Sequence, residues 1–107
     1  MPKYLLAYHG GHNFKSKEEG MAHMVKWKAW SAGLGDAVVD PGMPVGQSKT
    51  VSADGITDDG GANPLSGITI LQADSIEAAC EMAKACPHVD MGGTIEVAQA
   101  MDMEMEM

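Results

Sequence analysis

Twice this chain runs a short apolar strand into a capped helix, and that repetition restricts the fold more than any other feature. Lys3 to His9 (KYLLAYH) is an apolar run of strand length, stopped by Gly10-Gly11. Ser16-Lys17-Glu18-Glu19 follows as an S-x-x-E capping box, in which serine and glutamate side chains satisfy the orphan amides of a helix start. That helix is expected to reach Gly33 or Gly35, where a glycine supplies the stop. Gly67 to Ala73 (GITILQA) is the clearest strand. Asp74, with Glu77 three residues on, caps the second helix, and Pro87 after Cys86 ends it. Between the two units, Ala37-Val38-Val39 reads as strand, broken at Pro41-Gly42, with further strand character at Lys49-Thr50-Val51-Ser52. Asp54 to Ser66 is rich in Gly, Asp, Asn and Pro and reads as loop. Gly92-Gly93 precede a last strand, Thr94 to Gln99 (TIEVAQ).

The order β-α-β-β-α-β is the split βαβ pattern of a ferredoxin-like α+β fold. Such a protomer carries both helices on one face of a four-stranded antiparallel sheet and leaves the other face open. Side chains alternate along a strand, so Ile95 and Val97 oppose Thr94 and Glu96, and Ile68 and Ile70 oppose Thr69. The open face is therefore expected to be moderately polar, carrying Thr69 and Glu96, and to line a pocket or meet a second sheet. Tyr4 and Tyr8 share one face of the first strand, with Lys3, Ala7 and His9 on the other; which face meets the helices is open. The 107 residues make one domain over 1–100, followed by a Met/Glu-rich tail at 101–107 expected to fray.

Charge narrows the partners. Seven basic residues, all lysine, stand against 15 acidic ones, for a net charge of −8. Without arginine and with that balance, nucleic acid and anionic membrane surfaces are poor partners. No apolar run approaches the ~20 residues of a membrane span, and no signal-peptide h-region opens the chain. Cys80 and Cys86, placed in one predicted helix, stand about 9 Å and 240° apart, too far for a disulfide. Two reduced, partly buried thiols fit a cytoplasmic protein.

The first helix is the most informative segment. At 100° per residue it has a stripe of Met21, Val25, Ala29 and Ala32, and another of Glu19, His23, Trp27, Trp30 and Leu34. The second stripe reads most simply as the packing face. His23, one turn from Glu19, has the surroundings of an imidazole that moves protons near neutral pH. Asp40, near a strand end, is the second catalytic candidate, though before Pro41-Gly42 it also has the form of a turn residue.

Other constellations carry less. His9, His12, His23 and His88 would have to converge to bind a metal, and His9 and His12 flanking a Gly-Gly turn have no ligand spacing, so exposed turn histidines are expected. Gly42 to Thr50 superficially resembles a P-loop, but Gly46 and Lys49 are not adjacent and no helix follows. Asp54, Asp58 and Asp59 lack EF-hand spacing, and no CxxC is present. Gly60-Gly61 suit either a lid or a plain connector. No metal or cofactor is expected.

Taken together, PKYLLAYHGG, the Trp-containing helix, DAVVDPGMP, and NPLSGITILQADSIEAACEMAKACP followed by GGTIEV resemble the YCII-related family, including its DGPF-containing branch. The likeness runs from Pro2 to about Val97. It implies a ferredoxin-like protomer that pairs through open sheet faces as a homodimeric α/β barrel. It also implies enzymatic activity, from a histidine in the first helix and an aspartate ending the first strand. His23 matches the histidine; the aspartate position falls on Gly10, beside His9. Where DGPF would lie the chain reads Asp59-Gly60-Gly61-Ala62-Asn63-Pro64. The carboxylate would then have to come from Asp40, Glu19 or Glu96. The expectation is a small homodimer in which His23 and Asp40 are catalytic and His9, Trp27 and Glu96 bind a small-molecule substrate. The competing expectation is a non-catalytic dimeric module that binds a small molecule or a protein.

Overall fold

The computed structural model describes residues 1–11 and 15–101; His12 and the tail from residue 102 onward lie outside the described residues. Strand β1 (Lys3–His9) is central, flanked by β5 (Leu65–Gln72) and β6 (Thr94–Gln99), with β2 (Val38–Pro44) on the outer side of β5. The sheet order is β2-β5-β1-β6 and every pairing is antiparallel. Helices α1 (Lys17–Leu34) and α2 (Ile76–Lys84) and the short α3 (Pro87–Asp90) complete an α+β architecture compatible with a ferredoxin-like fold.

Helix α1 begins where the capping box places it: the Ser16 hydroxyl accepts from the Glu19 amide at 3.1 Å. It ends at Leu34, and Gly35, at φ +55°, returns its N–H to the carbonyls of Ala32 and Ser31. Helix α2 departs from expectation. Its cap is Ser75, whose hydroxyl accepts from Ala78 N at 3.1 Å, rather than Asp74. It ends at Lys84, so Cys86 lies outside it, and Pro87 occupies the first turn of α3 instead of only closing α2. A proline fits there because the first helical position has no intrahelical use for an N–H.

Strand β2 also runs further than the sequence suggests, through Asp40-Pro41-Gly42 to Pro44. It survives two prolines because it is an edge strand whose register slips between Val38 and Asp40 and again between Asp40 and Met43. Gly42 makes the bend possible: at φ +71°, an added Cβ would lie 1.8 Å from the Ile68 carbonyl oxygen. The segment expected to be loop holds regular structure as well. Thr50–Ser52 (β3) and Gly55–Thr57 (β4) form a separate two-stranded hairpin, and β5 already begins at Leu65.

Tyr4, Leu6 and Tyr8 on β1 and Leu71 and Ala73 at β5 are buried beneath the helices. Trp27, Trp30 and Leu34 of α1 and Met82 of α2 pack on Leu6, Tyr8, Leu71, Ala83 and Cys86. Thr69 faces the same way, contrary to the expectation that it lies on the open face. Its buried hydroxyl accepts from Tyr8 Oη at 2.8 Å and donates to the Pro41 carbonyl at 3.1 Å, so a polar atom is fully satisfied inside the core. The open face accordingly holds Leu5, Ala7, Ile68, Ile70 and Ala98, which are cross-strand neighbours in register. Its middle is apolar, with Glu96 at its rim. Along α1 the second stripe packs, whereas Met21 and Val25 of the first stripe are exposed at 60% and 67%.

Candidate active site

His23 and Trp27 sit one turn apart on the packed face of α1, and the indole Nε1 donates to His23 Nε2 at 2.5 Å. An indole N–H can only donate, so Nε2 carries the lone pair while this bond is made. The tryptophan is itself held against two further aromatic rings. Its ring meets Tyr8 edge-on at 5.2 Å and Trp30 at 5.4 Å between centroids, and Trp30 donates to the Met82 carbonyl at 2.9 Å. The imidazole therefore hangs from a rigid aromatic stack rather than from a mobile surface turn.

A cleft of about 190 Å³ opens beside it, lined by Glu19, Ala22, His23 and Lys26 of α1 and by Pro87, Asp90 and Met91 across from them. Two carboxylates, an imidazole and an ammonium thus border one small space. Asp90 is the residue that reading the sequence missed. The available signal was Pro87, which suits the first turn of a helix and so places Asp90 on a new one.

The far wall is held in place by His88. This imidazole is 7% exposed, its Nε2 donates to the His9 carbonyl at 2.8 Å, and its ring lies edge-on to Tyr8 at 5.3 Å between centroids. His88 is thus a buried packing histidine. His9, expected as an exposed turn histidine, departs from that expectation, with a side chain only 13% exposed. Its Nδ1 faces the carbonyls of Asn63 at 3.0 Å and Pro64 at 3.3 Å, which can only accept, so this nitrogen carries the proton. Its Nε2 stands 3.3 Å from Glu96 Oε1, at ion-pair distance but not aligned for a hydrogen bond.

The five sequence candidates therefore fall into separate groups. His23 and Trp27 meet on the helix side of the sheet, and His9 and Glu96 meet beside the open face. Asp40 lies on the exposed edge strand opposite Ile70, where its Oδ1 accepts from Gly42 N at 2.8 Å in a turn. Asp40 is not among the residues lining the His23 cleft.

Two buried acids lie behind the cleft. Burial pushes the Cys86 thiol up to about 11, with the Asp90 carboxylate adding to the rise and a backbone hydrogen bond at His88 opposing it. Burial likewise raises Tyr8 far above the ordinary phenol range, opposed by its bond to Thr69. Neither group ionises near neutral pH, so neither serves as nucleophile or base there. Among the described residues, no group of three His, Cys, Asp or Glu side chains could hold a metal ion, and no helix is long and apolar enough to cross a membrane. No protein-family model matches the chain, and no curated protein is similar to it.

Proposed function

We propose that this chain is a YCII-like small-molecule enzyme, homodimeric and cytoplasmic, in which His23 performs general acid/base chemistry on a neutral or weakly charged metabolite. The observation that carries this reading is the placement of His23 in a cleft with Glu19, Lys26 and Asp90. Asp90 or Glu19, rather than Asp40, supplies the carboxylate. The substrate enters beside Lys26, a hydroxyl or carbonyl oxygen takes up the ammonium's proton-donor capacity, and the imidazole accepts or returns a proton as the Trp27 bond is exchanged for one to substrate. A positioned proton-transfer group contributes about 10²–10⁴-fold, which suits an isomerisation or a hydrolysis without a metal. Absence of arginine argues against bidentate grip on phosphate or dicarboxylate.

The homodimer and its barrel-like pairing rest on the apolar open sheet face, which a second sheet would cover. Two unpaired cysteines, Cys80 and Cys86, suit a reducing compartment.

A second reading, a non-catalytic binding module, is favoured by one feature: Trp27 occupies the nitrogen a base would use. One experiment separates the two. Metabolites are screened by thermal shift against wild type and His23→Ala. Ligand at 100 times its Kd adds about 2.7 kcal/mol, or roughly 10–20 °C in a domain this small. Enzyme chemistry at His23 predicts a compound that shifts wild type, is turned over by it, and neither shifts nor is converted by the variant. A compound that shifts both equally and is never converted supports the module. If the variant only melts lower and no compound shifts either protein, His23 is a packing residue.

A further inference from the structure

Strand geometry brings His9 and Glu96 together. Tyr4, Leu6 and Tyr8 turn toward the helices, so Ala7 and His9 turn the other way. In the β1–β6 register Ala7 faces Glu96 and His9 faces Thr94, which sets Glu96 diagonally across from His9, within reach of a long side chain. The segment before β5 then fixes the imidazole, whose Nδ1 donates to the Asn63 carbonyl at 3.0 Å with that of Pro64 at 3.3 Å. With the ring proton there, Nε2 carries the lone pair. Nε2 is buried, has no hydrogen-bond partner among the described residues, and faces Glu96 Oε1 at 3.3 Å. Two electron-rich atoms thus confront each other across a short gap. The neighbouring strand adds a third polar atom: pairing passes from Tyr8–Gly67 to His9–Leu65, leaving Ser66 as the extra residue of a bulge opposite His9. Its hydroxyl is likewise buried without a partner among the described residues.

We propose that His9 Nε2 and Glu96 Oε1 are the two protein ligands of an exchangeable divalent transition-metal site, zinc being the cation that this donor pair fits. Distance selects the occupant. Zinc sits about 2.0–2.1 Å from an imidazole nitrogen and about 2.0–2.2 Å from a carboxylate oxygen, and at a tetrahedral angle those bonds hold the two donor atoms about 3.3–3.5 Å apart. The observed separation is 3.3 Å. A metal-ligating imidazole also donates its other N–H to a carboxylate or a backbone carbonyl, which is what the Asn63 and Pro64 carbonyls receive here. Imidazole beside carboxylate suits zinc, whereas magnesium and calcium prefer oxygen alone. The Glu96 side chain is 68% exposed, so its carboxylate can shift to admit an ion to the buried Nε2. A net charge of −8 draws cations rather than anions. Two side-chain ligands fall short of the four that close a structural zinc site, so water fills the remaining positions and the ion exchanges. That agrees with the lack of any three-residue ligand group among the described residues. The site lies across the sheet from the His23 cleft and does not rest on the chemistry proposed there.

The test is cobalt(II) titrated into the full chain, with zinc as competitor. Cobalt accepts the same tetrahedral donors, absorbs in the visible when bound, and broadens the amide resonances nearest to it. The proposal expects saturable binding, displacement by zinc, and broadening in a ¹H–¹⁵N spectrum centred on His9, Ser66, Thr94 and Glu96. That map needs no variant. Glu96→Gln keeps the size of the side chain and removes the anionic ligand. With circular dichroism showing an intact fold, it should weaken cobalt binding by at least about 10-fold, since losing even a group that only supports a metal ligand costs about 10–100-fold. Broadening centred on the His23 cleft or on residues 102–107, broadening spread over surface carboxylates, no saturable binding, or a Glu96→Gln protein that binds as tightly as wild type overturns the site.

Discussion

Substituting Gly93 by Ala tests the link between the core and the cleft. An added Cβ would sit 2.2 Å from His88 Nε2 and 2.6 Å from Cδ2, well inside contact distance. Because His88 is 7% exposed, its ring has little empty space to move into. Displacing it breaks the 2.8 Å bond to the His9 carbonyl. A buried donor or acceptor left unsatisfied costs about 1–3 kcal/mol, and overpacking a filled core another 1–3. With partial relaxation, a loss of roughly 2–4 kcal/mol is expected, or a Tm lower by about 10–25 °C, read by differential scanning calorimetry. On a His88→Ala background the same substitution should cost little, so a double-mutant cycle should show coupling above about 1.5 kcal/mol. Additive effects, or a Gly93→Ala protein melting within a degree or two of wild type, would refute the packing of His88 against β6 and with it the fixed position of the Asp90 wall.

Other consequences are as direct. Thr69→Val leaves the Tyr8 hydroxyl without its buried acceptor and should cost about 1–3 kcal/mol, measured by urea denaturation. Cys80 is exposed and Cys86 buried, so a thiol reagent near neutral pH should label one cysteine quickly and the other only on unfolding. Since the folded state raises the Cys86 thiol from 9.0 to about 11, its contribution to stability is complete below pH ~9 and is lost as pH climbs toward 11; Cys86→Ala should flatten that decline. Gly42→Ala meets the Ile68 carbonyl and should destabilise the β2 edge by several kcal/mol, seen as lost amide protection along Val38–Pro44.

The element order was legible because capping and strand chemistry are local: Ser16 does cap α1, and a glycine does end it. What escaped depended on partners distant in sequence. Thr69 looks like an open-face residue until Tyr8 and Pro41 arrive to satisfy its hydroxyl, and that reversal turns the open face from polar to apolar. Likewise β2 crosses two prolines only because β5 supports it from one side. Asp74 and Ser75 are both competent caps, and side-chain reach to Ala78 decides between them. At the site, the stripe that joins His23 to Trp27 was readable from helical periodicity. Asp90 was not, because Pro87 reads as an end when it is also a beginning. The burial of His88 was equally hidden, since two glycines, Gly11 and Gly93, clear the space it fills.

The central claim is that the cleft between α1 and α3 is where this protein meets its ligand. The most direct measurement is an assigned ¹H–¹⁵N correlation spectrum of the full chain, recorded while a library of neutral and weakly charged metabolites is added. The account predicts hits whose shift changes centre on Ala22, His23, Lys26, Asp90 and Met91. Changes confined to the open face at Leu5 and Ile70, or no saturable change with any compound, would contradict it.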